Sequence, residues 1–512
     1  MDIFGFIDLP TPVVLLLVCI SLYVYFMSNT HGTFKKLGIP GPKPWPVIGN
    51  SIFAFKTGMF NTVVAGYRRF QHMGGMYGTF EGRSPILTVT DLDMLREIMV
   101  KQFNNFPNRR KYATMDQPMV DKIMFNLDDD EWKHHRALIK PTLNPNRLKA
   151  SYPRVEKLLR SMLAVMEQKA KSQGGQLDIS LPIGCFCMDV IAGIGFDLDC
   201  NSIGNPKNDF LVKARNFLDT FGERTFSFSL FVPHFVKHIL DWFGIMIMPK
   251  KDVLFLREFT RRAIDVRRSE KDGQRGREDF FQYMIDHSVV RDEKKNGNTG
   301  PSTKLLSLEE LYGSSLTYFL AGYDTSAKGF FFAMYHLAMN PDCLKKAQQE
   351  VDCVLQGDFP NPDNVQNLKY IDMCIKESNR ILPLGPYVER RCSQDTNVLG
   401  RHIPAGMNIR IPIAGIHYDP NLYPDPQRYD PERFSPEASK DRHPMAFMPF
   451  GAGPRGCFGQ PLAMLLMRVG MAAMLQRFNM APCGKSEYPI RIIPMSDLVP
   501  EHDLWISLEP RQ

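Results

Sequence analysis

The chain has 512 residues, of which 44% are hydrophobic, so it is long and apolar enough to bury a large core. Its 62 Lys and Arg against 55 Asp and Glu give a formal charge of +7, which is too dilute to indicate a nucleic-acid partner. This mild basicity is compatible with an anionic membrane surface or an acidic protein partner. The ten cysteines have no regular spacing, which argues against a disulfide framework and favours a reducing compartment.

Residues 1–33 are predicted to form an N-terminal membrane signal anchor. The run VVLLLVCISLYVYFM at 13–27 is almost entirely apolar and lies within a longer segment that has no charged side chain. With tilt, this segment can cross a bilayer of about 30 Å, and no small-residue cleavage motif follows it. Acidic Asp8 precedes the apolar run and basic Lys35 follows it, which places the rest of the chain in the cytosol. The alternatives are a cleaved signal and a buried core helix.

The anchor is followed by a predicted basic, proline-rich hinge at 34–50. The stretch LGIPGPKPWP contains four prolines, which fix φ and remove backbone donors, so it is typical of a stiff spacer. Residues 51–512 are predicted to form one large domain. Helical periodicity dominates this domain and β-like runs are few, mainly around 389–414, so the predicted fold class is mainly α with small β-sheets.

Two segments within the domain have unusual compositions. Residues 225–249, TFSFSLFVPHFVKHILDWFGIMIMP, are rich in Phe and Met, and either dip into the bilayer or form an ordinary packed helix pair. Residues 291–304, RDEKKNGNTGPSTK, are polar and of low complexity, which indicates a surface loop inside the domain.

A long helix is predicted to begin at Ser307 and to end before Pro341. Ser307 and Glu310 have the spacing of a capping box, and about 30 residues at 1.5 Å each give a length of about 45 Å. Its middle reads AGYDT, where small residues leave room for a ligand beside the helix. Thr325 can bond a carbonyl one turn back or a bound oxygen, and Asp324 can relay protons from solvent. Taken alone, this pattern is more often a packing feature.

The stretch FGAGPRGCFG at 450–459 presents one cysteine on a glycine-rich loop. The apolar run after it is predicted to be a buried helix that begins near Gly459, so Cys457 precedes a helix N-terminus, which stabilises a thiolate. A nucleophilic cysteine would require a histidine base, and the loop has none nearer in sequence than His443. A role for Cys457 as a thiolate metal ligand fits better, because the guanidinium of Arg455 can bind an anionic group on the same cofactor.

The loop pattern Phe-x-x-Gly-x-Arg-x-Cys-x-Gly resembles the haem-binding signature of the cytochromes P-450, the haem-thiolate monooxygenases. The resemblance covers essentially the whole chain and implies the cytochrome P-450 fold around haem b. It implies that Cys457 is the proximal thiolate ligand of the haem iron. Phe450, Arg455 and Gly459 are then the other cofactor-binding residues of the loop.

Further motifs resemble parts of the same family. Glu377 and Arg380 in KESNR, with Arg433 in PERF, match its structural triad near the haem loop. Residues in three other motifs match the family's partners of the haem propionates. For two of these motifs, a shift of one position in the match would select Arg110 in place of Arg109, or Arg391 in place of Arg390. The propionate partners implied are Trp132 and Arg136 in EWKHHR, Arg109 in NRR and Arg390 in VERR.

The middle of the long helix matches the family's oxygen-activating groove. The resemblance therefore assigns Asp324 and Thr325 to proton delivery during oxygen activation, as the catalytic residues. Lys328 departs from the pattern, because small or apolar residues are usual one turn beyond the threonine. Its side chain either reaches outward to water or perturbs the groove.

The chain most resembles the drug- and steroid-oxidising family three of animals. This implies insertion of one oxygen atom from O2 into a lipophilic steroid, fatty acid or xenobiotic. NADPH and flavins would act only through a partner, NADPH-cytochrome P-450 reductase, with cytochrome b5 as a second donor, at the endoplasmic reticulum membrane. The alternatives are an endoperoxide isomerase like thromboxane synthase, against which the intact Asp324–Thr325 pair speaks, and a haem-binding protein without turnover.

Overall fold

The computed structural model describes residues 2–3, 7–8, 10–110, 118–218, 250–269, 279–289, 305–494 and 498–511. Within these ranges the protein is mainly α-helical with small β-sheets, as predicted. The Phe- and Met-rich segment 225–249 and the polar segment 291–304 lie outside the described residues.

The helices range from single turns to one that crosses the domain. The described α-helices are Thr11–Ser28, Thr33–Lys36, Ile52–Phe70, Leu92–Arg96, Pro118–Asp121, Asp129–Ile139, Pro145–Ala150, Tyr152–Ser172, Ser180–Phe196, Lys250–Ser269, Phe280–Asp286, Leu308–Ala338, Pro341–Leu355, Lys369–Ile381, Ile413–His417, Pro436–Ser439 and Gln460–Arg477. Leu308–Ala338 is called the central helix below, and Gln460–Arg477 the proximal helix. Short 3-10 turns lie at Phe103–Asn105, Lys140–Leu143, Val365–Asn367, Pro431–Phe434 and Pro444–Ala446, and a π turn at Glu97–Lys101.

The strands form small sheets, and the predicted β-like runs around 389–414 are confirmed. The largest described sheet has the order Met76–Glu81, Ser84–Val89, Asn408–Ile411, Val388–Arg391, antiparallel except for the parallel middle pair. A three-stranded antiparallel sheet has the order Phe478–Ala481, Trp505–Pro510, Gln176–Asp178. Two-stranded pairs join Thr396–Val398 to Arg401–Ile403 and Asp2–Ile3 to Ile7–Asp8.

The N-terminal helix, Thr11–Ser28, is long and apolar enough to cross a membrane. Only 11% of it is buried in the fold, which excludes the alternative of a core helix. The segment after it contacts the turn between the first two strands of the four-stranded sheet. There, the Thr30 hydroxyl donates to the Arg83 carbonyl, and His31 Nε2 lies 3.0 Å from the Gly82 carbonyl oxygen.

The proline-rich segment at 34–50 lies against the same sheet. The Gly78 N–H donates to the Pro40 carbonyl over 2.8 Å, and the Asn50 N–H donates to the Phe80 carbonyl over 2.7 Å. The segment therefore adds backbone hydrogen bonds along the outer strand. The division of the chain into anchor, hinge and catalytic domain remains a prediction.

The central helix begins with the predicted capping box. The Glu310 N–H donates to Ser307 Oγ over 3.3 Å, and the Ser307 N–H donates to Glu310 Oε2 over 2.7 Å. Along its length the helix packs against Ser180–Phe196 and against the proximal helix. At the first contact the Phe319 ring stacks on Phe196 with centroids 4.3 Å apart, so the middle of the helix has a fixed position in the core.

A buried network of four charges ties the four-stranded sheet together. Arg410 Nη2 lies 2.5 Å from Glu81 Oε1 and 2.7 Å from Glu389 Oε1, and Arg110 also pairs with Glu81. Glu81, Glu389 and Arg410 come from three different strands, and Arg110 comes from the loop after Asn108. Because each charge has opposite partners, removal of one would leave another buried and uncompensated.

We predict that this network makes stability sensitive to acid. Burial alone would raise the pKa of Glu81, but Arg410 and Arg110 lower it to about 2, against a reference value of 4.5. The stabilising contribution is therefore complete above pH 4.5 and is lost as the pH falls towards 2. Glu81→Gln should lower the free energy of unfolding at pH 7 by about 3–5 kcal/mol and remove part of the acid dependence. Denaturant unfolding of the full chain at pH 7 and at pH 3 measures both effects.

The control is Glu156→Gln, which removes a helix-surface pair with Arg160. It should change the free energy of unfolding by less than about 0.5 kcal/mol. A Glu81→Gln variant that loses as much stability between pH 7 and pH 3 as the unchanged chain would contradict the role assigned to Glu81.

Candidate active site

The cysteine loop is held by backbone contacts that require glycine. The Cys457 N–H donates to the Phe450 carbonyl over 2.8 Å, which closes the loop. Gly453 has φ +67°, a conformation that side chains rarely adopt, and a Cβ there would lie 1.9 Å from the Met99 carbonyl oxygen. Met99 belongs to the π turn Glu97–Lys101, so the loop packs directly on an irregular helical turn.

The Cys457 thiol lies just before the proximal helix, with one side exposed. Burial by the surrounding protein disfavours the charged thiolate and so raises the pKa of this thiol. The N–H groups of Gly459 and Gln460 and the charges of Arg136 and Arg109 act in the opposite direction. The same groups would stabilise a thiolate on a metal ion, because coordination removes the proton.

Four arginines gather beside the cysteine loop, and they are the four that the sequence singles out: Arg109, Arg136, Arg390 and Arg455. Burial is the main cause that lowers their pKa values, to about 10 for Arg109, to about 9 for Arg455 and well below the usual range for Arg390. Repulsion between neighbouring guanidinium groups of the cluster adds to the effect on Arg109, Arg390 and Arg455. The cluster is thus a buried positive region.

Arg455 and Arg136 connect the cysteine loop to the elements around it. Arg455 Nε donates to the Pro107 carbonyl over 2.7 Å and its Nη2 to the Leu127 carbonyl over 2.8 Å. Its guanidinium carbon lies 4.2 Å from the centre of the buried Trp132 ring. Arg136, one turn after Trp132 on the same helix, donates from Nη1 to the Gly456 carbonyl over 2.8 Å.

Some donors of the cluster have no partner among the described residues. Arg109 Nε, Arg390 Nε and Arg455 Nη1 are buried and make no hydrogen bond to any described residue. A buried guanidinium with unmatched donors is costly, so the cluster requires an anionic group with several acceptor oxygens. The two carboxylates of a porphyrin are such a group, and the adjacent Cys457 could supply an axial thiolate. The residues present therefore fit haem.

The two neighbouring arginines that a one-residue slip would select have other environments. Arg110 belongs to the buried network of the sheet through Glu81. The Arg391 side chain is only half-buried, and its backbone N–H donates to the Asn108 carbonyl over 2.8 Å. Arg109 and Arg390 thus remain the candidates for this site.

The structure brings the predicted triad together. Arg380 donates to both oxygens of Glu377 over 2.7 and 2.8 Å, and both side chains are fully buried. Arg433 Nε lies 3.4 Å from Glu377 Oε1. Arg380 Nη1 also donates to the His417 carbonyl over 2.9 Å, and His417 Nε2 accepts from the Met448 N–H over 3.2 Å. The triad therefore connects to the chain just before the cysteine loop.

The middle of the central helix carries the predicted acid and alcohol. The Thr325 hydroxyl donates to the Ala321 carbonyl over 2.5 Å, the bond one turn back that the sequence predicts. Ala321 and Thr325 are exposed although the residues after them, Ser326 onwards, are buried, so this side of the helix faces open space. Asp324 forms an ion pair with Lys328, whose Nζ lies 2.6 Å from Asp324 Oδ2.

Sequence reasoning missed some contributors to the site. Asn108 Oδ1 accepts from the Asp129 N–H over 2.9 Å, which holds the start of the Trp132 helix to the loop that Arg455 contacts. Asn108 immediately precedes Arg109 in the motif NRR, which was the available signal. Lys328 was noticed as a departure, but its alternative of reaching outward to water is wrong, since its side chain is only 11% exposed.

Comparison with known proteins agrees with this geometry. The sequence profile of the family described as Cytochrome P450 matches residues 39–502. Among the similar curated proteins, cytochrome P450 3A41 of Mus musculus is 33% identical, cytochrome P450 3A2 of Rattus norvegicus is 33% identical and cytochrome P450 3A5 of Homo sapiens is 31% identical. Each alignment covers 100% of this chain and 99% of the relative. On this evidence, and on the cysteine loop and arginine cluster described above, the chain belongs to the cytochrome P450 family of haem-thiolate oxidoreductases.

Proposed function

We propose that the chain uses this site to insert one oxygen atom from O2 into a lipophilic substrate such as a steroid, a fatty acid or a xenobiotic. The observation that carries the proposal is the exposed thiol of Cys457 beside buried arginine donors that make no hydrogen bond to the part of the chain that the structure describes. Membership of the cytochrome P450 family supports the same reaction class. Haem b bound at the site would supply the redox and oxygen-activating chemistry at its iron.

The protein's own residues have distinct tasks in this proposal. Cys457 would hold the haem iron through its thiolate, and the backbone N–H groups of Gly459 and Gln460 would stabilise its charge. Phe450 closes the loop through its carbonyl, and Gly453 lets the loop approach the Met99 carbonyl. The arginine cluster, together with Trp132, would bind and orient the propionates. Glu377, Arg380 and Arg433 hold the chain that leads into the loop.

Proton delivery is assigned to Asp324 and Thr325. The exposed side of the helix at Thr325 places its hydroxyl where a substrate or oxygen could approach, while the Asp324 carboxylate is partly accessible, with 24% of its side chain exposed. In this assignment Asp324 takes a proton from water and passes it towards the Thr325 hydroxyl, which transfers it into the groove.

Membership of the cytochrome P450 family supports the supply of electrons by a redox partner. We infer that NADPH-cytochrome P-450 reductase is the donor, with cytochrome b5 as a second donor. The formal charge of +7 is compatible with acidic partners of this kind. The N-terminal helix would hold the chain in the endoplasmic reticulum membrane with its domain in the cytosol. Resistance of the membrane-bound chain to alkaline extraction, with cleavage of the domain by external protease, tests that topology.

The proposed function predicts a specific spectrum and a specific turnover. The reduced carbon monoxide complex of the purified chain should absorb at the long wavelength typical of thiolate ligation rather than where globins absorb. Addition of lipophilic compounds should stimulate reductase-dependent NADPH oxidation and yield a product that contains one oxygen atom from O2. Rearrangement of an endoperoxide without NADPH would instead indicate an isomerase, and a bound haem with no turnover would indicate a binding protein.

Arg390→Met is predicted to weaken haem binding, because it removes a buried Nε donor that no described residue satisfies. A charge-assisted hydrogen bond contributes about 1.5–3 kcal/mol, so haem should dissociate about tenfold to a hundredfold more readily. The ratio of haem to protein after dilution, and transfer of haem to an acceptor protein, measure this. Arg391→Met is the matched control and should retain haem. Equal retention by both variants would remove Arg390 from the site.

Thr325→Ala is predicted to uncouple the reaction, since the hydroxyl that passes the proton onward is lost. NADPH oxidation should continue, while product per NADPH falls by about tenfold or more and hydrogen peroxide rises. Ser315→Ala is the matched control: its hydroxyl also bonds the carbonyl one turn back on the central helix, over 2.9 Å, but it is buried. Unchanged coupling in Thr325→Ala would exclude the proton-delivery role.

A further inference from the structure

The ion pair between Asp324 and Lys328 is an unusual feature of the central helix. The two residues are four apart, with the acid nearer the N-terminus, which is the favourable order on a helix. Lys328 Nζ lies 2.6 Å from Asp324 Oδ2, and the side chains are 11% and 24% exposed respectively. A lysine this deeply buried normally requires a partner for its charge, and here Asp324 is one.

The central helix is closely packed immediately after Lys328. The next residue, Gly329, lies against the proximal helix so closely that a Cβ there would be 3.1 Å from Met467 Sδ. Further along, the Phe330 ring packs on Gly470 of the same helix. This part of the central helix is therefore enclosed, and the ammonium group meets the carboxylate rather than bulk water.

The ion pair restricts the conformation of the Asp324 side chain. One carboxylate oxygen, Oδ2, is bound to Lys328, which fixes the side-chain rotamer. The second oxygen, Oδ1, makes no hydrogen bond to another described residue and keeps its capacity to accept or carry a proton. A carboxylate without the lysine would sample several rotamers, so its free oxygen would not be held in one place.

We propose that Lys328 is a positioning residue for proton delivery: it holds the Asp324 carboxylate in one orientation and so sets the fraction of turnovers that end in product. The inference rests on the proposed function of Asp324 and Thr325. Lys328 keeps its own protons throughout. The proton that is delivered comes from water, passes through Asp324 and leaves towards Thr325, after which Asp324 is again a carboxylate paired with Lys328.

The test compares Lys328→Met, Lys328→Arg, Asp324→Asn and the double variant Asp324→Asn/Lys328→Met in the full-length, haem-loaded enzyme with its reductase. Lys328→Met keeps the length of the side chain without its charge and should lower product per NADPH by about threefold or more, with substrate affinity unchanged. Lys328→Arg should restore coupling to within about twofold. The double variant should be no worse than Asp324→Asn, because Lys328 acts through Asp324.

The accessibility of the Lys328 amine to chemical modification gives a second measurement, which does not depend on turnover. Reductive methylation of Lys328, followed by mass spectrometry, should rise several-fold in Asp324→Asn, because the amine loses its ion pair with Asp324. Unchanged methylation would show that Asp324 does not hold the amine in place, and would overturn the inference. If Lys328→Met fails to incorporate haem, Lys328→Gln provides the same loss of charge.

The outcomes distinguish the positioning role of Lys328 from proton delivery by Asp324 and Thr325. If Asp324→Asn lowers coupling but neither Lys328→Met nor Lys328→Gln does, the positioning role is wrong and the proton-delivery proposal stands. If Asp324→Asn and Thr325→Ala both leave coupling unchanged, the proton-delivery proposal itself is wrong. Additive losses in the double variant would show that Lys328 acts independently of Asp324, and would also overturn the inference.

Discussion

The burial of several guanidinium groups beside one thiol is the constraint on which the site depends. Isolated charges are not stable inside a protein unless they are paired, and Arg109, Arg390 and Arg455 together keep three buried N–H donors that the described protein does not satisfy. The carboxylates of a bound porphyrin would satisfy such donors, and Cys457 would hold its metal. Cofactor binding would therefore stabilise the fold.

The site also depends on close backbone contacts between the cysteine loop and the segments around it. The cysteine loop contacts the π turn at Met99 through Gly453, and the triad of Glu377, Arg380 and Arg433 holds the chain that enters the loop. These contacts connect segments that are far apart in sequence. Because they involve backbone carbonyls and buried charges, they fix the position of the thiol more tightly than hydrophobic packing alone would.

Local patterns predicted much of this arrangement. The capping box of the central helix, the start of the proximal helix and the strands around 389–414 follow from short-range rules, and the structure has each of them. The pairing of Asp324 with Lys328 could not be settled in advance, because the low exposure of Lys328 is a property of the folded protein that the local sequence does not determine. For the same reason the sequence alone left Arg110 and Arg391 open, since only the sheet shows that Arg110 pairs with Glu81.

The contact between the segment after the N-terminal helix and the turn at Gly82 and Arg83 bears on how the enzyme stands at a lipid surface. A domain joined to its anchor by a loose tether could tumble and present any face to the lipid. Here Thr30 and His31 fasten the segment after the N-terminal helix to a turn of the same sheet that carries Glu81 and Arg410. If that helix crosses a bilayer, the orientation of the globular body relative to the membrane is set with it.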